Sequence, residues 1–155
     1  MKHTPDAAEA ATLTLTIPAK DCEVRNALVA ARQRLSVWGG DQDTLAAVEI
    51  VLAEVLNNIV EHAYAKIPPG EILLWIERRA DALAVAVIDD GRPMPGEMMP
   101  DTRAPDLAVD VAELPEGGFG WGLIRALSSG LSYRRISERN RLAFRIPLSV
   151  QAKDT

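Results

Sequence analysis

The sequence predicts an α+β fold: a two-layer sandwich of a mainly antiparallel mixed sheet with helices on one face. Three observations lead to it. Stretches with a period of two come in neighbouring pairs joined by tight turns, the mark of hairpins and of antiparallel pairing. Two long stretches of helical period stand together between the first strand and the next pair, which groups helices apart from strands. The length of 155 residues, 48% of them hydrophobic and 25% charged, suits one core and not comfortably two.

In chain order, residues 1–11 read as a loose polar start, and a single domain is expected over residues 12–149. Residues 12–17 alternate strictly, with Leu13, Leu15 and Ile17 on one side, and Pro18 ends that strand. Asp21 can cap a helix reaching about Trp38, with Val24, Leu28, Ala31 and Leu35 inward and Gly39-Gly40 as its stop. Asp41 or Asp43 caps a second helix, which Pro68-Pro69-Gly70 terminates. Residues 71–79 and 82–88 form a hairpin that ends in Asp89-Asp90-Gly91. A proline-rich stretch from residue 92 to about residue 122 reads as a lid, with a short helical turn expected over residues 106–114. A helix follows over residues 123–127. Strands over residues 131–136 and 142–148 flank a turn over residues 137–140, and residues 150–155 read as a tail.

Bulk properties exclude some functions. The net charge of −5 argues against a nucleic-acid surface. Arg134, Arg135, Arg139, Arg141 and Arg145 cluster late, on what reads as a solvated face of two strands. The single cysteine, Cys22, excludes an internal disulfide and fits a reducing compartment. Residues 1–20 lack an apolar signal core, and no apolar run of membrane-spanning length occurs, so a cytoplasmic protein without a membrane partner is expected.

The second helix, residues 46–66, carries the chemistry. Its apolar stripe is Leu45, Val48, Leu52, Val55, Leu56, Ile59 and Ala63, and Glu54, Asn58 and His62 follow one another at intervals of four. Such a series fans over about 80° of helix surface, which sets a carboxylate, an amide and an imidazole beside the buried face. Polar groups at that boundary need partners, and a ligand pocket would supply them as well as solvent would. Asp89 closes an apolar strand, either as turn chemistry or as a buried carboxylate accepting from the amino group of a base. Gly91 beside it would let a ring lie against the backbone. Gly118, Gly120 and Gly122 open a helix, where unpaired N–H groups and the helix dipole suit a phosphate. Glycines also mark lid hinges, and neither the P-loop nor the dinucleotide-binding pattern is present.

The order Glu54-Val-Leu-Asn-Asn58-Ile-Val-Glu-His62-Ala-Tyr64, Asp89-Asp-Gly91, then Gly117-Gly-Phe-Gly120-Trp-Gly-Leu-Ile124 resembles the ATP-binding domain shared by gyrase, histidine kinases and MutL, the Bergerat or GHKL fold. Within that superfamily the chain is similar to the anti-sigma-factor serine kinases of bacterial partner switching, the RsbW type. The resemblance spans about residues 13–148. It implies ATP and Mg²⁺ as cofactors, with Asn58 as the metal ligand and Glu54 as the general base. It implies that Asp89 reads adenine with Gly91 beside it, and that Gly118, Gly120, Gly122 and Leu123 lie around the phosphates. His62 occupies a motif position, to orient the site or to touch the ligand, and Arg103 in the lid is a further candidate for the γ-phosphate. The implied partners are a STAS-type anti-anti-sigma factor, a sigma factor and a second copy of the chain. Three features depart from the family pattern: a doubled asparagine at Asn57, Trp121-Gly122 within the glycine box, and a lid rich in acid. A nucleotide-dependent binding module without phosphotransfer is the alternative. A histidine kinase is disfavoured because His3 and His62 are the only histidines.

Overall fold

Alternating strands need a helical layer to cover their apolar side, and the computed structural model, which describes residues 11–100 and 119–148, supplies it. The elements run β1 (Thr12–Pro18), α1 (Asp21–Val37), α2 (Gln42–Asn58), a π-helical turn (Ile59–Ala63), β2 (Glu71–Arg78), β3 (Ala82–Asp89), a 3₁₀ turn (Pro95–Glu97), α3 (Phe119–Leu127), β4 (Ser129–Ile136) and β5 (Arg139–Pro147). The five strands are ordered β1-β2-β3-β5-β4, and all four pairings are antiparallel. The expected helical turn over residues 106–114 lies outside the described residues.

The period of two decides which side is covered. Ile72, Leu74 and Ile76 of β2, Leu83, Val85 and Val87 of β3, and Leu142, Phe144 and Ile146 of β5 are all buried in one core. The helices meet them with Val24, Ala31 and Leu35 of α1, Val48, Leu52, Val55 and Leu56 of α2, and Ile124 of α3. Each of these side chains larger than alanine contributes roughly 1.5–3 kcal/mol by leaving water. The other face carries Thr14, Trp75, Arg141 and Arg145, none of them in that core. Among the described residues the helices therefore lie on one face, as expected.

Local chemistry sets the boundaries. Asp41, rather than Asp43, caps α2, its Oδ1 accepting from Thr44 N at 2.7 Å. Lys20, rather than Asp21, is the N-cap residue of α1, and Asp21 sits in the first turn. Two departures shape the site. The helix expected to run unbroken over residues 46–66 changes pitch after Asn58, where Tyr64 N–H bonds Ile59 O at 3.3 Å. The turn before β5 is tighter than expected, since Ser137 and Glu138 alone make it, at φ of 49° and 63°. Arg139 and Asn140 thus belong to β5.

Candidate functional site

The change of pitch has a tertiary cause. Ala63 O accepts from Arg92 N at 2.7 Å, which ties the end of the helix to the segment after β3. A Cβ on Gly91 would lie 2.6 Å from Ala63 O and 2.8 Å from Ala63 Cβ, so the contact demands glycine. The missing side chain at Gly91 therefore makes room for the helix rather than for a ring. Tyr64 strengthens the junction: its buried hydroxyl donates to Asp90 Oδ1 and accepts from Asp90 N at 3.1 Å. Burial, then the bond to the Asp90 carboxylate, pushes the Tyr64 hydroxyl well above its ordinary pKa.

Between this junction, α3 and the β4–β5 edge lies a cavity of about 420 Å³. Val55, Asn58, Ile59, His62 and Ala63 line it from the central helix, Asp89 from β3, Arg92 to Pro95 and Pro100 from the following segment, Trp121 from α3, and Tyr133, Asn140 and Leu142 from β4 and β5. The walls are mostly apolar, with a few fixed polar groups, the usual make-up of a small-molecule site.

Asp89 is the buried carboxylate of this wall. Its Oδ1 accepts from Gly91 N at 2.9 Å and from Asn140 Nδ2 at 2.9 Å, whereas its Oδ2 has no hydrogen bond among the described residues. Desolvation pushes its pKa above the ordinary carboxylate value, and the bonds from Asn140 and Gly91 pull the other way. Asn58 contributes an amide whose Nδ2 is buried without a partner among the described residues. A buried unpaired amide costs about 1–3 kcal/mol, so a ligand that pairs it recovers that cost. His62 reaches the cavity edge from the π-helical turn and is exposed.

Glu54 stands one turn before Asn58 and does not line the cavity. It meets α3 instead. A Cβ on Gly120 would run into Glu54 Oε2 and would lie 3.7 Å from Asn58 Nδ2, so the glycine-rich stretch abuts both residues. Gly120 and Gly122 lie inside α3, not in a loop before it as expected. Neither they nor Leu123 line the cavity, and Gly118 and Arg103 lie outside the described residues.

A family model described as a histidine kinase-like ATPase domain matches residues 17–146, which includes every element that builds this wall. The chain belongs to that family. Among curated relatives of this histidine kinase-like ATPase, the serine-protein kinase RsbW of Halalkalibacterium halodurans is 27% identical over 117 residues, 75% of this chain and 71% of its own length. RsbW of Bacillus cereus strain AH187 is 34% identical over 86 residues, 55% of this chain and 53% of its own. The solved structure of the RsbU and RsbW domains of a Mycobacterium tuberculosis protein superposes with a TM-score of 0.64 at 20% identity, over 93% of this chain. The chain spans 34% of that longer one, and the likeness shows the shared α+β fold. An RsbW-type kinase domain of the GHKL superfamily is thus what the chain resembles. Among the described residues, no helix is long and apolar enough to cross a membrane.

Within this ATPase-like domain, four polar residues of the site were not singled out in the sequence. Asn140 and Tyr133 line the cavity, and Arg135, expected on a solvated face, donates to Gly91 O at 3.0 Å and to Asn140 Oδ1 at 2.9 Å. Arg125 of α3 donates to Pro100 O at 2.8 Å and so ties the proline-rich segment to α3 at that point.

The Glu54–Gly120 contact makes a prediction. Alanine is the better helix former by about 1 kcal/mol, yet Gly120→Ala forces the Glu54 carboxylate aside. Because the atom met is the end of a flexible, half-buried side chain that can turn away, that cost roughly offsets the helix gain, and a stability change under about 1 kcal/mol is expected, read as the urea midpoint at an unchanged slope. In a Glu54→Ala background, where nothing has to move, Gly120→Ala should show the helix gain of about 1 kcal/mol more fully.

Proposed function

We propose that this chain is an ATP·Mg²⁺-dependent protein-serine kinase and anti-sigma factor. It phosphorylates a serine on a STAS-type anti-anti-sigma antagonist and sequesters a sigma factor, acting as a cytoplasmic homodimer. The observation that carries this reading is the convergence of Asp89, with a free Oδ2, and Asn58, with an unpaired amide, on one cavity, while Glu54 stands one turn away against Gly120. The RsbW names of its relatives support the choice of a protein serine as acceptor.

In this reading Asp89 Oδ2 accepts the adenine amino group, and Trp121 and Leu142 pack against the base. Asn58 would hold a Mg²⁺ through its amide oxygen, leaving its unpaired Nδ2 to donate to a phosphate oxygen. Among the described residues no group of three or more His, Cys, Asp or Glu is placed to hold a metal, and an ion held by one protein oxygen would draw on phosphate and water for the rest. When bound it would supply neutralisation of phosphate charge. Glu54 takes the proton from the serine hydroxyl as the serine oxygen bonds the γ-phosphorus and ADP leaves. Gly118, Gly120, Gly122 and Leu123 border the phosphates, and His62 orients the mouth of the site.

Calorimetry of ATP binding with and without Mg²⁺ tests the proposal. Asn58→Ala is expected to weaken Mg²⁺-dependent binding by about tenfold to a hundredfold, the worth of one contact to a charged partner. Wild type that binds no ATP in the presence of Mg²⁺ would overturn it. One observation favours a second reading, a nucleotide-dependent partner switch without phosphotransfer: Glu54 stands outside the cavity lining.

A further inference from the structure

The polar hub behind Asp89 is built more elaborately than a turn requires. Asn140, buried at the start of β5, donates through Nδ2 to Asp89 Oδ1 at 2.9 Å and to Arg92 O at 2.8 Å, with Gly91 O at 3.4 Å. Its Oδ1 accepts from Tyr133 Oη at 2.6 Å and from Arg135 Nη1 at 2.9 Å. The Tyr133 hydroxyl in turn accepts from Met94 N at 3.1 Å. The Arg135 donor on Oδ1, and a carboxylate with two carbonyls on Nδ2, allow only one orientation of this amide, since a flip would set like against like at those four contacts, whereas the Tyr133 hydroxyl can serve either orientation.

That orientation matters for the carboxylate. Gly91 N and Asn140 Nδ2 together occupy Oδ1, so Oδ2 is left to a ligand in the cavity. We infer that Asn140, locked by Tyr133 and Arg135, is a positioning residue for base recognition: it holds Asp89 Oδ1 and so keeps the carboxylate aimed, with Oδ2 offered to a purine amino group. This rests on the nucleotide reading above and adds a residue and a way of acting to it. The charged and titratable groups around Asp89 are Asp90 beside it, Arg135 and Tyr133 from β4, Arg92 and His62 at the cavity, and the Tyr64 hydroxyl. Arg135 favours the ionised form and Asp90 opposes it, so a single donor at 2.9 Å from Asn140 weighs in the outcome.

Asn140→Asp is the discriminating variant, because it places a carboxyl oxygen where the donor stood. Two facing carboxyl groups take up one shared proton and resist a second ionisation. While that proton is present the variant reproduces the donor, and ATP·Mg²⁺ binds nearly as in wild type. As pH rises through the titration of the pair the proton leaves, the two charges repel, and binding falls. Calorimetry from about pH 5.5 to 8.5 should show a variant-to-wild-type ratio of Kd within about threefold at the acid end and at least about tenfold at the alkaline end. The ratio removes the effects of pH on the triphosphate and on every other group that both proteins share. A ratio independent of pH, with wild type binding ATP and the variant folded by its melting transition, overturns the inference alone. Wild type without ATP binding overturns the nucleotide reading and this inference with it. Should Asn140→Asp not fold, Asn140→Ser, which retains a donor, is expected to bind ATP at least about tenfold more tightly than Asn140→Leu. Equal affinities would overturn the inference.

Discussion

Glu54→Gln is expected to lower phosphoryl transfer to a protein serine by roughly two to four orders of magnitude, the usual share of a positioned general base. The affinity for ATP·Mg²⁺ should change by less than about threefold, a difference under 1 kcal/mol. The split follows from where Glu54 stands. It does not line the cavity that would hold the base, and the missing side chain of Gly120 gives its carboxylate room. Glutamine has the same shape, so the packing against α3 survives and only the proton-accepting charge is lost. Single-turnover transfer from labelled ATP, beside a binding isotherm, reads the two quantities separately. Wild-type transfer at or below the level of the variant would leave the partner switch without phosphotransfer as the better reading. Equal loss of binding and transfer would make Glu54 a structural prop for Gly120.

The fold was legible because its main signals are periodic. Leu13 and Ile17, Ile72, Leu74 and Ile76, and Leu142, Phe144 and Ile146 alternate as half-buried strands must, and all are buried on one side. The stripe from Leu45 to Leu56 repeats at helical intervals and faces the core. Asn58, His62 and Asp89 line one cavity. What could not be read depends on contacts between distant segments. Nothing in Ile59-Val60-Glu61-His62-Ala63 marks a change of pitch, which is tied to Ala63 O meeting Arg92 N across the fold. Ser137 and Glu138 adopt positive φ without glycine, so a four-residue turn was expected and Asn140 was assigned to it. Arg135 shares a run with arginines that do face water, and only the closeness of β4 to Gly91 O distinguishes it. Gly120 looked like loop chemistry because glycine disfavours helices, yet it lies within α3 beside the Glu54 carboxylate.

Asp89→Asn should show the opposition between function and stability at this site. In wild type, Oδ1 is held by Gly91 N and Asn140 Nδ2, both donors. An asparagine must therefore turn its carbonyl oxygen toward them and place its NH₂ where Oδ2 was. An acceptor for the adenine amino group becomes a donor pointing at it, which costs both the lost bond and a repulsion. A loss of about 2–4 kcal/mol is expected, a fall in ATP affinity of roughly thirtyfold to a thousandfold. The same variant should favour a base with a carbonyl at the corresponding position, so the ratio of ATP to inosine triphosphate affinity falls and may be read in one calorimetric series. Stability moves the other way. The Asp89 pKa is raised in the folded protein, chiefly by desolvation, so the native state holds that proton more tightly than the unfolded chain does. By linkage, stability is lost as pH rises from the unfolded carboxylate value through the folded one, and the burial cost of the ionised group is present in full above that window. Asp89→Asn carries no such charge, so at neutral pH its melting temperature should exceed that of wild type, and the difference should shrink toward acid pH. A melting temperature below wild type at neutral pH would mean that Asp89 chiefly holds the turn at Gly91. A gain in stability joined to a loss of ATP would identify its carboxylate as a group kept buried for the ligand.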